Sequence, residues 1–154
     1  MFTHKLVKMI ENHASEISRS WVRDVQQHPD TLSYHRMPES KLQDRGFTIY
    51  SHLGEWIQDL GDRGQVQERY VKLGAERYHE GVPLSEVVKA TMLLRRHLWF
   101  FLMEDGMFSS APQLYQFIEF HNNVILFFDR AIHFTVKGFE REAELDRRVH
   151  ATAT

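Results

Sequence analysis

Glu76-Arg77-Tyr78-His79 puts a carboxylate and an imidazole three residues apart. On a helix that spacing projects both from one face, as in the carboxylate-bridged metal sites of helical bundles. Such a site needs two Glu-x-x-His motifs and two further glutamates, and this chain has one motif. His13/Glu16 and His52/Glu55 repeat the spacing in the reverse order. There is no HExxH, no G-x-S-x-G and no glycine-rich phosphate loop after a strand. Cysteine is absent, which removes thiolate ligands, thiol nucleophiles and disulfides. The expected reading has no catalytic residues, no metal and no enzyme activity.

Ten histidines remain to be placed. His4, His28, His35 and His150 read as solvated. His97 and His121 lie in apolar surroundings, so each is a hydrogen-bonded core histidine, a pH-sensing group or a ligand. Arg95-Arg96, on the same apolar helix as His97, reads as a surface ion pair rather than an anion site.

These residues need elements to hold them, and the pattern is helical almost throughout. The chain has 154 residues, one domain's worth, with a formal charge of -2. That balance argues against nucleic acid. The N-terminus MFTHKLVKMIENHASEI is too charged for a signal peptide or a membrane span, so a cytoplasmic protein is expected. Leu6, Ile10, Ala14, Ile17, Trp21 and Val25 mark the first helix, ended by His28-Pro29-Asp30. Residues 28–38 read as a loop. Pro38 and Glu39 open a second helix with Leu42, Ile49, Leu53, Trp56 and Leu60 on its face, and Gly61 and Gly64 bracket its end. Val66, Tyr70, Leu73 and Arg77 align on a third, from Gln65 to His79. Gly81 fits a left-handed cap and Pro83 blocks continuation.

Ser85 fits the N-cap of a fourth helix, with a stripe of Val88, Thr91, Leu94 or Arg95, Leu98 and Phe101 or Leu102. Asp105-Gly106 stops it. Ser110 to Gln113 has capping-box spacing. The last helix then runs to about Arg148, roughly 36 residues or about 54 Å. The class is all-α, a bundle with a long C-terminal helix in a single domain over 1–154. The charged stretch 140–154 is either a helical stalk or a frayed tail.

Two apolar stripes share that last helix. Leu114, Phe117 or Ile118, His121, Ile125, Phe128, Ile132 and Phe139 are expected to face the domain's own core. Phe120, Val124, Phe127, Ala131 and Phe134, with phenylalanine every seven residues, are expected to pack on a second copy of the chain, because a helix apolar all round needs burial all round. Leu93, Trp99 and Phe100 extend the expected homodimer face.

One stretch adds a likeness. Leu73-Gly74-Ala75-Glu76-Arg77, Gly81-Val82-Pro83-Leu84, Glu86-Val87-Val88-Lys89-Ala90 and Leu93-Leu94-Arg95-Arg96-His97-Leu98-Trp99 resemble the N-terminal domain of RsbR-type stressosome proteins, and the input module of some bacterial histidine kinases. The resemblance covers nearly the whole chain. It implies a globin-like fold without haem. It also implies a dimer whose closing helices run in parallel toward an output domain, and a role in signal input. No output domain follows REAELDRRVHATAT, which is expected of an excised or a stand-alone input module. The corner also resembles that of haem-bearing globin sensors, where a histidine stands four residues before the corner glycine. Here that position is Arg77, and a guanidinium cannot ligate iron. No cofactor is expected, and Arg77, Gly81 and Pro83 form a structural corner. The alternative is a haem-binding gas sensor that uses His97 or His121.

Overall fold

The computed structural model describes residues 2–57, 63–104 and 110–153. The elements run α1 (Phe2–Val25), a 3₁₀ turn (Leu32–Tyr34), α2 (Glu39–Ile57), α3 (Arg63–His79), α4 (Leu84–Glu104) and α5 (Ala111–Ala153). Among the described residues the chain is an all-α bundle without strands. No helix of these residues is long and apolar enough to cross a membrane. The expected positions of Leu60, Gly61, Asp105 and Gly106 lie outside the described residues, and Gly64 falls inside α3.

The predicted stripe of α1 is buried in full, from Leu6 to Val25. It packs on α2 and α4. Two aromatic side chains pin this packing. The Trp21 indole N–H donates to the Ala90 carbonyl at 2.9 Å, and the Tyr50 hydroxyl donates to the Leu94 carbonyl at 2.7 Å. Both bonds satisfy polar atoms that are otherwise costly to bury. Burial also raises the Tyr50 pKa well above the tyrosine range.

Ser85 is not the N-cap of α4. The helix begins at Leu84, and its first turn closes on the Pro83 carbonyl, which accepts from Glu86 N at 3.0 Å and Val87 N at 3.2 Å. Of the expected stripe Leu94, Leu98 and Leu102 are buried, joined by Val87, Ala90 and Leu93, while Val88, Thr91 and Phe101 are half-buried. At α5 the Ser110 hydroxyl does accept from Gln113 N, at 3.4 Å. The helix is longer than expected: 43 residues, or about 64 Å.

The two stripes of α5 do not divide as expected: both feed the chain's own core, the first through Phe117 and Phe128, which are 3 and 0 % exposed. Phe120, Val124, Phe127 and Ala131 are 1, 2, 0 and 0 % exposed within the single chain. The Phe127 ring lies among Trp56, Tyr70 and Phe128, with centroids 6.1, 5.9 and 5.4 Å away. Phe134 is half-buried, with the Arg130 guanidinium 5.6 Å from its ring centre. The assignment of Phe120, Val124, Phe127 and Ala131 to a contact between copies is therefore corrected: they fill the chain's own core, with Phe134 packed at its edge. The outward residues come from the other stripe, where Leu114 and Ile118 are exposed and His121, Ile125 and Ile132 are half-buried. Leu93 is likewise buried, whereas Trp99 and Phe100 are exposed.

The closest approach in the fold is between α3 and α5. A Cβ built on Gly74 would stand 2.0 Å from the Thr135 carbonyl oxygen, and one on Gly138 would stand 1.9 Å from the Val71 carbonyl oxygen. Only glycine at both positions lets the two backbones touch.

Candidate functional site

The corner between α3 and α4 follows the sequence reading. Gly81 is left-handed, with φ of 77°. Val82 N donates to the Arg77 carbonyl and Gly81 N to the Tyr78 carbonyl, which closes the end of α3. Arg77 is 9 % exposed. Its Nη1 donates to Glu80 Oε1 at 2.6 Å, while Arg45 from α2 holds the other oxygen of the same carboxylate. Lys41 adds a third, half-exposed cation at 3.2 Å. Burial, with Arg45 close by, pulls the Arg77 pKa down; Arg45, Arg77 and Lys41 together carry that of Glu80 below the carboxylate range, against a desolvation that raises it.

Trp21, Tyr34, Arg45, Arg77 and Thr91, with aliphatic neighbours from α2, α3 and α4, line a small cavity beneath the corner. Its volume is about 20 Å³, enough for one particle near the size of a water. Tyr34 comes from the 3₁₀ turn, a segment that reads as plain loop in sequence. Burial pushes its hydroxyl up to about 12.

The residues after Arg77 reach the far end of α5. The Tyr78 hydroxyl donates to Asp146 at 2.6 Å, and His79 Nε2 lies 2.7 Å from Glu142 Oε1. Tyr78 also meets Phe139 edge to face at 5.4 Å. Glu76 and His79 thus do not converge on a shared site: Glu76 is exposed, and His79 is paired to α5. Among the described residues no group of three or more histidine, aspartate or glutamate side chains is placed to hold a metal.

His97 and His121 stand apart. His97 Nε2 is 2.7 Å from Asp24 Oδ2, tying α4 to α1. His121 packs against Trp99, with ring centroids 4.6 Å apart, and lies parallel to Phe117. Burial, helped by Arg95, lowers its pKa. It borders a surface cleft of about 460 Å³ between α4 and α5, lined also by Met92, Arg95, Arg96, Trp99 and Ile125. Arg95 lies 3.9 Å from Asp129, and Arg96 covers the Phe100 ring at 5.1 Å.

Two features escaped the sequence reading. One is the Gly74–Gly138 crossing, whose signal was a glycine inside each helical pattern. The other is Arg45, which looks like any polar residue of an amphipathic helix until α3 folds beside it.

No curated protein and no solved structure matches the chain. A family model does, the RsbT co-antagonist protein rsbRD N-terminal domain, over residues 15–153. The match takes in α2 to α5, the C-terminal part of α1 from residue 15, the Arg77 corner and the glycine crossing. The chain belongs to this family of stressosome-type sensory N-terminal domains, which is not a known family of enzymes.

Proposed function

We propose that residues 1–154 form one non-haem, globin-like input domain that works as a homodimer and signals through its paired α5 helices. The dimer face is the outward side of α4 and α5: Met92, Trp99, Phe100, Leu114, Ile118 and Ile125. The observation that carries this reading is the exposure of large apolar side chains along two neighbouring helices, where water contact is unfavourable and a matching face removes it. A second copy is the occupant because α5 continues as helix to Ala153 with Leu145 and Val149 exposed, so a twofold pairing extends along one rod.

In this arrangement residues 140–154 are the stalk that leads to a downstream signalling protein or output domain. Tyr78 and His79 grip the stalk at Asp146 and Glu142, so a change at the corner alters where the stalk points. A signal shifts the arrangement only as far as it prefers one packing over the other. The domain acts in the cytoplasm and contacts neither membrane nor nucleic acid.

Light scattering tests the dimer. The wild type is expected at twice the chain mass and Ile118→Asp at the single mass with its helix content retained. A wild-type monomer, or an Ile118→Asp dimer, would remove the assigned face. The chain has no cysteine, so Val149→Cys carries a single spin label per protomer. A short distance between labels is expected. A separation approaching the length of α5 would mean antiparallel helices and no common stalk.

A further inference from the structure

We propose that the cavity under the α3–α4 corner is a binding site for a small monovalent anion of about chloride size, held by the Arg77 and Arg45 guanidiniums and the Tyr34 hydroxyl. The argument begins with hydrogen-bond supply. A guanidinium has five N–H donors. Arg77 is 9 % exposed, and its one side-chain hydrogen bond among the described residues goes to Glu80. Tyr34 is a buried residue, and its hydroxyl has no hydrogen bond among the described residues. Both side chains line the cavity. The other polar groups there are already engaged: Trp21 donates to the Ala90 carbonyl and Thr91 to the Val87 carbonyl. What remains is a set of donors without an acceptor.

Charge selects the occupant. Arg77 and Arg45 share the single carboxylate of Glu80, one on each oxygen. Lys41 of α2 also faces Glu80, half in solvent. On the α4 side the Glu86 carboxylate also acts on Tyr34; it takes the Ser33 backbone N–H at 2.6 Å and hydroxyl at 3.2 Å, neutral partners that leave its charge in place. Three cations, Arg45, Arg77 and Lys41, thus face two carboxylates, Glu80 and Glu86, which leaves one positive charge over. Arginine does not lose its proton in proteins, so the excess is not relieved by titration. A cation is repelled, and a neutral water accepts hydrogen bonds but leaves the charge. Size then limits the anion. A volume of about 20 Å³ admits one particle near the size of a water, not a phosphate or an organic acid.

The placement gives the site a consequence. It joins α2, the 3₁₀ turn, α3 and α4, one residue before the Tyr78–Asp146 and His79–Glu142 contacts to α5. An anion there fastens the corner that holds the stalk. The site stands apart from the dimer reading, since none of its lining residues is on the proposed dimer face.

Thermal melts at fixed ionic strength test it, with sodium gluconate replaced stepwise by sodium chloride or bromide. The wild type is expected to gain stability with chloride and to saturate. Tyr34→Phe should raise the half-saturating concentration about tenfold, the size of one hydrogen bond to a charged group. Arg77→Met should lose the response. Crystals of the wild type grown in bromide provide a readout that needs no variant, with an anomalous peak expected between Arg45, Arg77 and Tyr34. A wild type that melts alike in gluconate and chloride, an undiminished response in Arg77→Met, or a cavity holding only water would each overturn the site. None of these results would change the mass of the dimer.

Discussion

Two sets of apolar side chains on α5 meet different fates. The inner face carries Phe120, Val124, Phe127 and Ala131, buried where α5 packs on the other four helices, most of all on α3. The outer face carries Leu114, Ile118 and Ile125, of which the first two are 42 and 55 % exposed. The lesson is that hydrophobicity identifies a face that wants cover, not what provides it. The inner face is covered by side chains of its own fold, down to backbone contact at Gly74 and Gly138. The outer face is where a partner gains most.

Substitutions on the two faces should differ in kind. Phe127→Asp buries an unpaired carboxylate among three aromatic rings and should abolish cooperative unfolding in urea. Gly138→Ala forces a methyl into the Val71 carbonyl, and the α3 backbone cannot yield as a flexible side chain can. Its cost should reach about 3 kcal/mol or more, the upper end for overpacking. A cooperative melt at the wild-type midpoint for either variant would mean that α5 is not packed inward on this face. Ile118→Asp should instead leave the urea midpoint of the dissociated chain unchanged and alter only the mass.

Smaller effects sharpen the picture at the edges of the inner packing. Glu80→Gln removes the carboxylate shared by Arg45 and Arg77, and should lower stability by about 1–3 kcal/mol, the range for leaving buried donors unsatisfied. An unchanged urea midpoint would show that the corner does not depend on this cluster.

The smallest effect concerns His52. Burial, reinforced by Arg69, lowers its pKa to about 4, and its Nδ1 lies 3.2 Å from the Tyr70 hydroxyl. The folded state thus favours the neutral ring. Between the ordinary histidine value of about 6.5 and about 4 the unfolded chain binds a proton that the folded chain does not. This contribution is complete above the unfolded pKa and falls away as pH drops through that window. Melting points from pH 7 to pH 4 should decline less steeply for His52→Gln than for the wild type. Parallel declines would assign the acid sensitivity to other groups.

Much of the fold was legible because helices advertise themselves by a local period. The stripe of α1, the line Val66–Tyr70–Leu73–Arg77 and the glycine-proline corner all follow from spacing and backbone chemistry. The place of Arg77 at a structural corner was readable because it ends the line Val66–Tyr70–Leu73 just before Gly81 and Pro83. Its actual cluster was not readable. Arg45 and Tyr34 lie 32 and 43 positions away and signal nothing until the helices pack.

The sequence alone determined the all-α class, the long closing helix, the left-handed turn at Gly81 and the presence of two apolar stripes on α5. These are properties of residues within a few positions of one another. Tertiary structure decided which residues of each stripe are core, where α3 and α5 touch, and that two arginines share one glutamate over a small cavity. The physical reason is that a stripe records only its own hydrophobicity. The direction it faces depends on the shape of what packs against it, and at Gly74 and Gly138 that shape is set by a missing Cβ rather than by any side chain.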